Sequence, residues 1–273
     1  MENFMLKDIT LGQYYPTESV LHRLDPRVKL AGTFLFLISL FLQRGILGFV
    51  LSTLFLIGII WISHVPLSYM MRGLKAIMIL LIITAAFHLF LTPGETVLAL
   101  GRLTITDQGI RSALQMVVRL IYLILGTSLM TLTTTPNQLT DGLEKAFSPF
   151  AKIGLPVHEI ALMMSIALRF IPILMEEADK IMKAQMARGA DFSSKNLIVR
   201  AKNLIPLLVP LFVAAFRRAN DLALAMEARC YRGGSGRTKL HPLCYKRQDH
   251  LAYLVLFLYL VILMVCRMCP MIP

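Results

Sequence analysis

A chain of 273 residues that is 56% hydrophobic and only 16% charged, with a mean hydropathy of +0.67, departs from soluble domains, which sit near half apolar and about a quarter charged. This excludes a free-standing soluble domain and reads as an all-α integral membrane protein. The net charge of +12 would suit nucleic acid in a soluble protein, but residues 145–250 hold 17 Lys and Arg against 8 Asp and Glu, so one polar block carries +9 of it. Cytoplasmic loops collect Lys and Arg in this way, and such a surface suits anionic headgroups or an acidic partner protein. No nucleic-acid partner is expected.

Residues 1–27 form an expected cytoplasmic N-terminal segment, polar and basic, with no cleavable signal peptide evident. Residues 28–135 hold four apolar runs long enough for about 30 Å of hydrocarbon, at Val28–Leu42, Ile46–Ser63, Leu74–Leu91 and Ile110–Leu132. Arg23 and Arg27 precede the first run, with Lys29 at its very start, and Arg72 lies between the second and third, with Lys75 at the start of the third. The linker from Thr92 to Gly109 instead balances Arg102 against Glu95 and Asp107. Arg44, in the short first hairpin, is the one dissenting charge. The bias predicts a cytoplasmic N-terminus. A fifth run, Leu251–Val265, lies in residues 249–273 and leaves a short external tail.

Residues 136–248 read as a cytoplasmic block of two long helices. Pro156 is placed to start the first, with Val157, Ile160, Ala161, Met164, Leu168 and Ile171 at helical spacing. Pro172 predicts a bend, and Glu176, Glu177, Asp179, Lys180 and Lys183 supply a polar face up to Arg188. The second helix is expected from about Asn196 to Arg229, bent at Pro206 and Pro210. Both are too apolar for free solution and too charged for a clean crossing, so they are expected along the membrane's cytoplasmic face. Ala215, Ala219 and Ala223 repeat every four residues, a small-residue stripe for helix packing.

Two tripeptides stand out. Ala187-Arg188-Gly189 closes the first of these helices and Ala228-Arg229-Cys230 closes the second, with the arginines 41 positions apart. A basic residue in a last turn suits the helix dipole, and Gly189 can take the left-handed conformation that stops a helix. Capped ends alone would account for either one. The repetition in matched context points to recognition, because an exposed guanidinium beside small residues can enter a partner's groove and meet carboxylates or carbonyls with a fork of donors.

Other candidates are weaker. His64 and His88 lie in or beside apolar runs without carboxylates nearby in sequence and read as polar anchors, while Glu176, Glu177 and Asp179 read as a solvated face. Gly233-Gly234-Ser235-Gly236-Arg237-Thr238 lacks the Gly-Lys-Ser/Thr ending of a nucleotide loop. Cys266 and Cys269 have Cys-x-x-Cys spacing but no second pair, and Cys230 and Cys244 supply no framework. No metal or cofactor is expected in this chain.

On these residues the sequence resembles the T component, the transmembrane coupling subunit, of energy-coupling factor transporters. Leu24-Asp25-Pro26-Arg27-Val28-Lys29-Leu30 resembles the family's Asp-Pro-Arg-x-Lys signature, and Ala167-Leu168-Arg169-Phe170-Ile171-Pro172 resembles the start of its first coupling helix. Residues 184–189 and 225–231 resemble its two Ala-Arg-x coupling motifs, although Cys230 stands where glycine or serine is usual. The resemblance implies a multi-pass protein of a bacterial or archaeal cell membrane, in which residues 136–248 are a cytoplasmic coupling domain of two long crossing helices, with two partner ATP-binding-cassette (ABC) ATPases, which bind the ATP and Mg. It further implies a substrate-capturing S component for a vitamin or metal ion, and assigns Arg188 to one ATPase and Arg229 to the other. Asp25, Pro26, Arg27, Pro172, Pro206 and Pro210 are then orienting residues, and the alanine stripe a packing face. The alternatives are the T subunit of a dedicated cobalt or nickel importer, a membrane enzyme using Asp25 and Arg27 at the cytoplasmic interface, and a structural scaffold.

Overall fold

The computed structural model of the protein describes residues 14–43, 45–100, 103–190, 197–234 and 242–268. In chain order its elements are α1 (Val20–Arg23), α2 (Pro26–Leu42), α3 (Gly45–Ser63), α4 (Leu67–Leu91), β1 (Thr96–Leu100), β2 (Leu103–Thr106), α5 (Asp107–Thr133), α6 (Pro136–Phe147), α7 (Val157–Ala187), α8 (Leu197–Ala228) and α9 (Arg247–Met268). The chain divides into two compact units, one containing residues 143–242 and the other residues 12–142 and 243–273. It is an all-α multi-pass membrane protein.

Four of the expected runs lie in α3, α4, α5 and α9, each long and apolar enough to cross a membrane. The first run lies in α2, whose 17 residues reach about 26 Å at 1.5 Å per residue, slightly short of the hydrocarbon thickness. Helix α7 also has the length and apolarity of a span. Length and composition therefore do not separate it from the other four candidate spans.

In the unit built on α2 to α5 and α9, the helix starts follow local chemistry. Asp25 caps α2 by accepting a hydrogen bond from the Arg27 N–H at 2.9 Å, with Pro26 in the first turn. Thr106 caps α5 by accepting from the Gly109 N–H at 3.0 Å while its hydroxyl donates to the Thr92 carbonyl at 2.9 Å. Thr135 and Gln138 open α6 as a reciprocal capping box, each side chain accepting from the other's N–H at 3.3 Å. The core has two centres: Phe36, Leu40, Leu56, Tyr259 and Leu263 join α2, α3 and α9, and Val65, Met70, Leu129 and Leu132 join the end of α3 to α4 and α5. Where polar side chains enter this core they find one another. The Tyr259 hydroxyl meets Ser39 at 2.9 Å and Ser52 at 2.8 Å, and Gln43 donates to Ser52. Such bonds matter in hydrocarbon, where no water replaces a missing partner.

The linker between α4 and α5 is more ordered than a plain connection. Its strands pair antiparallel from Thr96↔Thr106 to Leu100↔Leu103, and Thr106 passes directly from the strand into its capping role. At the α5 start, Gly109 lies so close to α4 that a Cβ there would come within 2.8 Å of the Leu89 carbonyl oxygen.

The other unit carries α7 and α8. They run as the sequence predicts, within a residue or so of the expected ends: Pro156 is the residue before the first turn of α7. The helix continues through Pro172, and α8 continues through Pro206 and Pro210. The helices pack in an antiparallel sense. Met182 buries against Leu207 with Ile181 and Ala190 around them, and Arg218 pairs with Glu177 at 3.3 Å. Proline has no N–H, so Pro210 leaves the Pro206 carbonyl without its helical donor, and the Gln185 side chain of α7 donates to that carbonyl at 3.3 Å. The second helix's irregularity thus supplies a bond to the first.

Candidate functional site

The two tripeptides adopt the same backbone geometry. At the end of α7 the Gly189 N–H donates to the Met186 carbonyl and the Ala190 N–H to the Gln185 carbonyl, both at 3.0 Å. At the end of α8 the Cys230 N–H donates to the Glu227 carbonyl at 2.8 Å and the Tyr231 N–H to the Met226 carbonyl at 3.0 Å. Each is the crossed pair of bonds that closes a helix through a left-handed residue. That residue is Gly189 at φ +90° in one and Cys230 at φ +56° in the other. Arg188 and Arg229 therefore hold the same position, the last half-helical residue before the reversal.

All six residues, Ala187, Arg188, Gly189, Ala228, Arg229 and Cys230, are exposed. Among the described residues neither guanidinium has a side-chain partner. Each sits at the negative end of its helix dipole, which favours the cation without consuming its donors. Five N–H donors on a rigid fork, flanked by an alanine on one side and a tight backbone reversal on the other, form a slim cationic tip able to enter a groove lined with carboxylates or carbonyls.

The remaining sequence-predicted residues fall elsewhere. Asp25, Pro26 and Arg27 sit at the start of α2. Pro172, Pro206 and Pro210 lie inside the long helices. Ala215 is half-buried while Ala219 and Ala223 are exposed. Glu177 is taken up by Arg218, which removes it from an acidic patch. His64 ends α3 in a left-handed turn at φ 55°, and among the described residues no cluster of His, Cys, Asp and Glu could hold a metal ion. Gly234 packs its backbone on the His158 ring, where a Cβ would come within 2.4 Å. His158 in turn meets Glu144 at 3.0 Å. Residues 235–238 of the glycine-rich run, Arg44, Arg102, Asn196 and Cys269 lie outside the described residues. A cavity of about 240 Å³ among α2, α3, α5 and α9 is apolar apart from Lys29, Thr33, Thr133 and Gln248, so it offers no polar constellation for a nucleotide.

Sequence reasoning missed a buried polar cluster around the α2 start. Lys29 Nζ donates to the His22 carbonyl at 3.1 Å and the Thr133 carbonyl at 2.8 Å. Asp249, 1% exposed, accepts from the Lys246 N–H at 2.7 Å and the Asp25 N–H at 2.8 Å. One carboxylate thereby serves the N-termini of both α9 and α2, where the helix dipoles favour its charge. The His22 ring is fixed by Ser19 at 2.7 Å and the Tyr15 carbonyl at 3.1 Å. Burial, with the Lys29 charge adding to it, pushes this imidazole below its ordinary pKa. Also missed was Arg119, inside the apolar run of α5, whose guanidinium lies 5.6 Å from the Phe41 ring centroid. A charge within an otherwise apolar run was the available signal.

The profile of the family described as cobalt transport protein (CbiQ) matches residues 17–240. The chain belongs to this family. Within it, the chain is 52% identical over 249 residues to the energy-coupling factor transporter transmembrane protein EcfT of Thermosediminibacter oceani, covering 91% of this chain and 94% of that one. It is 54% identical over 246 residues to EcfT of Heliobacterium modesticaldum, at 90% and 92% coverage, and 49% identical over 246 residues to EcfT of Bacillus subtilis, at 90% and 93%. The match takes in both arginine tips and the α2 signature, so the CbiQ family frame and the paired geometry concern the same residues.

Proposed function

We propose that this chain is the transmembrane coupling (T) subunit of an energy-coupling factor importer of the ABC class. It links ATP hydrolysis by two ABC ATPases to uptake of a vitamin or other micronutrient captured by an S component, in a cell membrane with its N-terminus in the cytoplasm. The chain has no catalytic role of its own, and the ATPases bind ATP and Mg. The observation that carries this reading is the pair of matched helix ends: two exposed arginines, presented by the same backbone device, on two packed helices of one unit. Two like subunits of a dimeric motor call for two like docking points.

In this reading Arg188 enters a groove on one ATPase and Arg229 a groove on the other. Closure of the motor moves the two tips, the packed α7 and α8 transmit the movement, and the S component responds within the membrane. Charge-assisted contacts contribute about 1.5–3 kcal/mol each, so Arg188→Ala or Arg229→Ala should weaken ATPase association roughly 10- to 150-fold. The double variant should be weaker than either. A double variant that still co-purifies with both ATPases and supports normal uptake refutes the assignment.

A second reading, service to a dedicated cobalt or nickel importer, is favoured by the description of the matching family. Binding of the metal ion, and not a vitamin, by the small membrane protein that co-purifies with this chain would select it. The enzyme reading loses ground because Asp25 is occupied as a helix cap and Arg27 by the Leu243 carbonyl and the Tyr245 ring.

A further inference from the structure

The cavity of about 240 Å³ is lined wholly by the unit of residues 12–142 and 243–273. Helices α2 and α9 contribute their beginnings, residues 28–36 and 248–256, while α3 and α5 contribute their ends, residues 55–62 and 126–133. Each stretch rises about 10–12 Å at 1.5 Å per residue, most of the about 15 Å that one leaflet gives to a hydrocarbon core of about 30 Å. The cavity therefore runs inward from the membrane surface at which α2 and α9 begin. Its polar lining gathers at that surface, where Lys29, Thr133 and Gln248 lie in the outermost turns of their helices, and Lys29 donates to the Thr133 carbonyl at 2.8 Å. The deep end is Phe36, Phe55, Gly126 and Leu256.

The walls are buried but the rim is not. Ile62 on α3 and Leu251 and Val255 on α9 are 44%, 65% and 48% exposed while lining the same space, so the cavity opens sideways at these residues. Water finds too few polar partners inside, and an empty space of this size forfeits the dispersion contacts of its walls. An apolar cavity of about 150 Å³ already holds a benzene-sized guest, and in a bilayer the apolar molecules at hand are acyl chains. Charge at the mouth selects the headgroup. Residues 18–29 and 246–250 hold five Lys and Arg against three Asp and Glu. Glu18 pairs with Arg23 at 2.7 Å and Asp25 with Arg27 at 3.7 Å, and Asp249 offsets Lys29. The excess is Lys246 and Arg247, both exposed and immediately before Gln248, a basic rim beside an apolar slot that suits an anionic lipid phosphate.

We propose that this cavity seats one acyl chain of an anionic phospholipid from the leaflet at which α2 and α9 begin, with its phosphate met by Lys246 and Arg247. The site needs only a membrane-embedded chain, so it stands or falls apart from the coupling function proposed above. Gly32 supplies the means of testing it. This residue of α2 lines the cavity, and a Cβ built on it meets nothing within 4 Å, so a larger side chain there fills the cavity without pushing backbone aside. Gly58 on α3 has the same open surroundings but does not line the cavity, which makes it the control.

The test offers the full-length, delipidated chain in detergent phosphatidylglycerol or phosphatidylcholine of the same acyl chains and counts bound lipid by native mass spectrometry. The wild-type chain should hold one phosphatidylglycerol, about tenfold more readily than phosphatidylcholine. Gly32→Leu should lower that binding about tenfold while Gly58→Leu leaves it within about twofold, and Lys246→Gln with Arg247→Gln should bring the two lipids to within about twofold of each other. Equal binding by the Gly32→Leu and Gly58→Leu chains overturns the cavity as the seat, and equal binding of the two lipids by the wild-type chain overturns the phosphate contact. Should Gly32→Leu fail to insert, Ala252→Leu, which fills the same space from α9, decides in the same two ways. A photo-crosslinking side chain at Val255 on the rim should capture phospholipid in the assembled complex, and capture of a second membrane protein in place of lipid overturns the proposal.

Discussion

The matched helix ends make a prediction of opposite sign at two positions. Gly189 is at φ +90° and a Cβ built there meets nothing within 4 Å, so Gly189→Ala creates no clash and its whole cost is the left-handed backbone, about 1–2 kcal/mol for a residue with a Cβ. That corresponds to a roughly 5- to 30-fold larger population of the opened end. Cys230 already bears that cost at φ +56°. Cys230→Gly relieves it, offset by the greater freedom glycine loses on folding, about 0.5–1 kcal/mol, so the net gain is at most about 1.5 kcal/mol. The assay is amide hydrogen exchange on peptides spanning 185–190 and 226–231, which hold the four donors and four acceptors that close the two ends. Exchange at Gly189 and Ala190 should speed up in Gly189→Ala, and exchange at Cys230 and Tyr231 should slow in Cys230→Gly. Unchanged exchange in both, or acceleration in both, refutes the reasoning that a left-handed residue sets each arginine's position.

Further outcomes follow from the buried groups. His22 has a folded-state pKa below its ordinary value of 6.5, so the unfolded chain binds more protons near that pH and stability rises with pH there. The contribution is complete above about pH 6.5 and is lost as pH falls below it, through the folded pKa. Thermal melts in detergent should drop on acidification through this window, and His22→Gln should flatten that drop. Gly109→Ala places a methyl within 2.8 Å of the Leu89 carbonyl, a backbone neighbour that cannot swing away, and should cost about 1–3 kcal/mol, read as a lower melting temperature. Arg188→Ala should reduce ATPase capture without changing the melting temperature of the isolated chain by more than the effect of an exposed side chain, about 0.5 kcal/mol. A fall beyond that shows that the guanidinium supports the chain's own fold.

Much of this architecture was legible because lipid imposes simple rules. Continuous apolar runs marked α3, α4, α5 and α9, and the Pro156 start and Gly189 stop of α7 are local signals that the structure reproduces almost residue for residue. The hairpin at 96–106 was less visible, since two strands of five and four residues fall inside what charge balance marks only as a linker. Its β-branched content, in Thr96-Val97 and Thr104-Ile105-Thr106, was the available hint. The capping box at Thr135 and Gln138 was also readable from the Thr-Pro-x-Gln spacing. The cluster around Asp249 was not readable at all. Asp25 and Asp249 lie 224 positions apart, and no periodicity or cap signal links residues that meet only through the packing of α2 against α9. The place of Arg188 and Arg229 at helix ends was expected from the dipole argument, whereas the identity of their two backbone reversals needed coordinates, because a cysteine in place of a glycine hides the match.

The most direct test of the central claim places a photo-crosslinking side chain at Arg188 and, separately, at Arg229 in the assembled complex. Each site is predicted to capture an ABC ATPase, with the crosslink from position 188 weakened when its helix end is loosened by Gly189→Ala. Crosslinks from both sites to lipid alone, or to no ATPase in a complex that still imports its substrate, would contradict it.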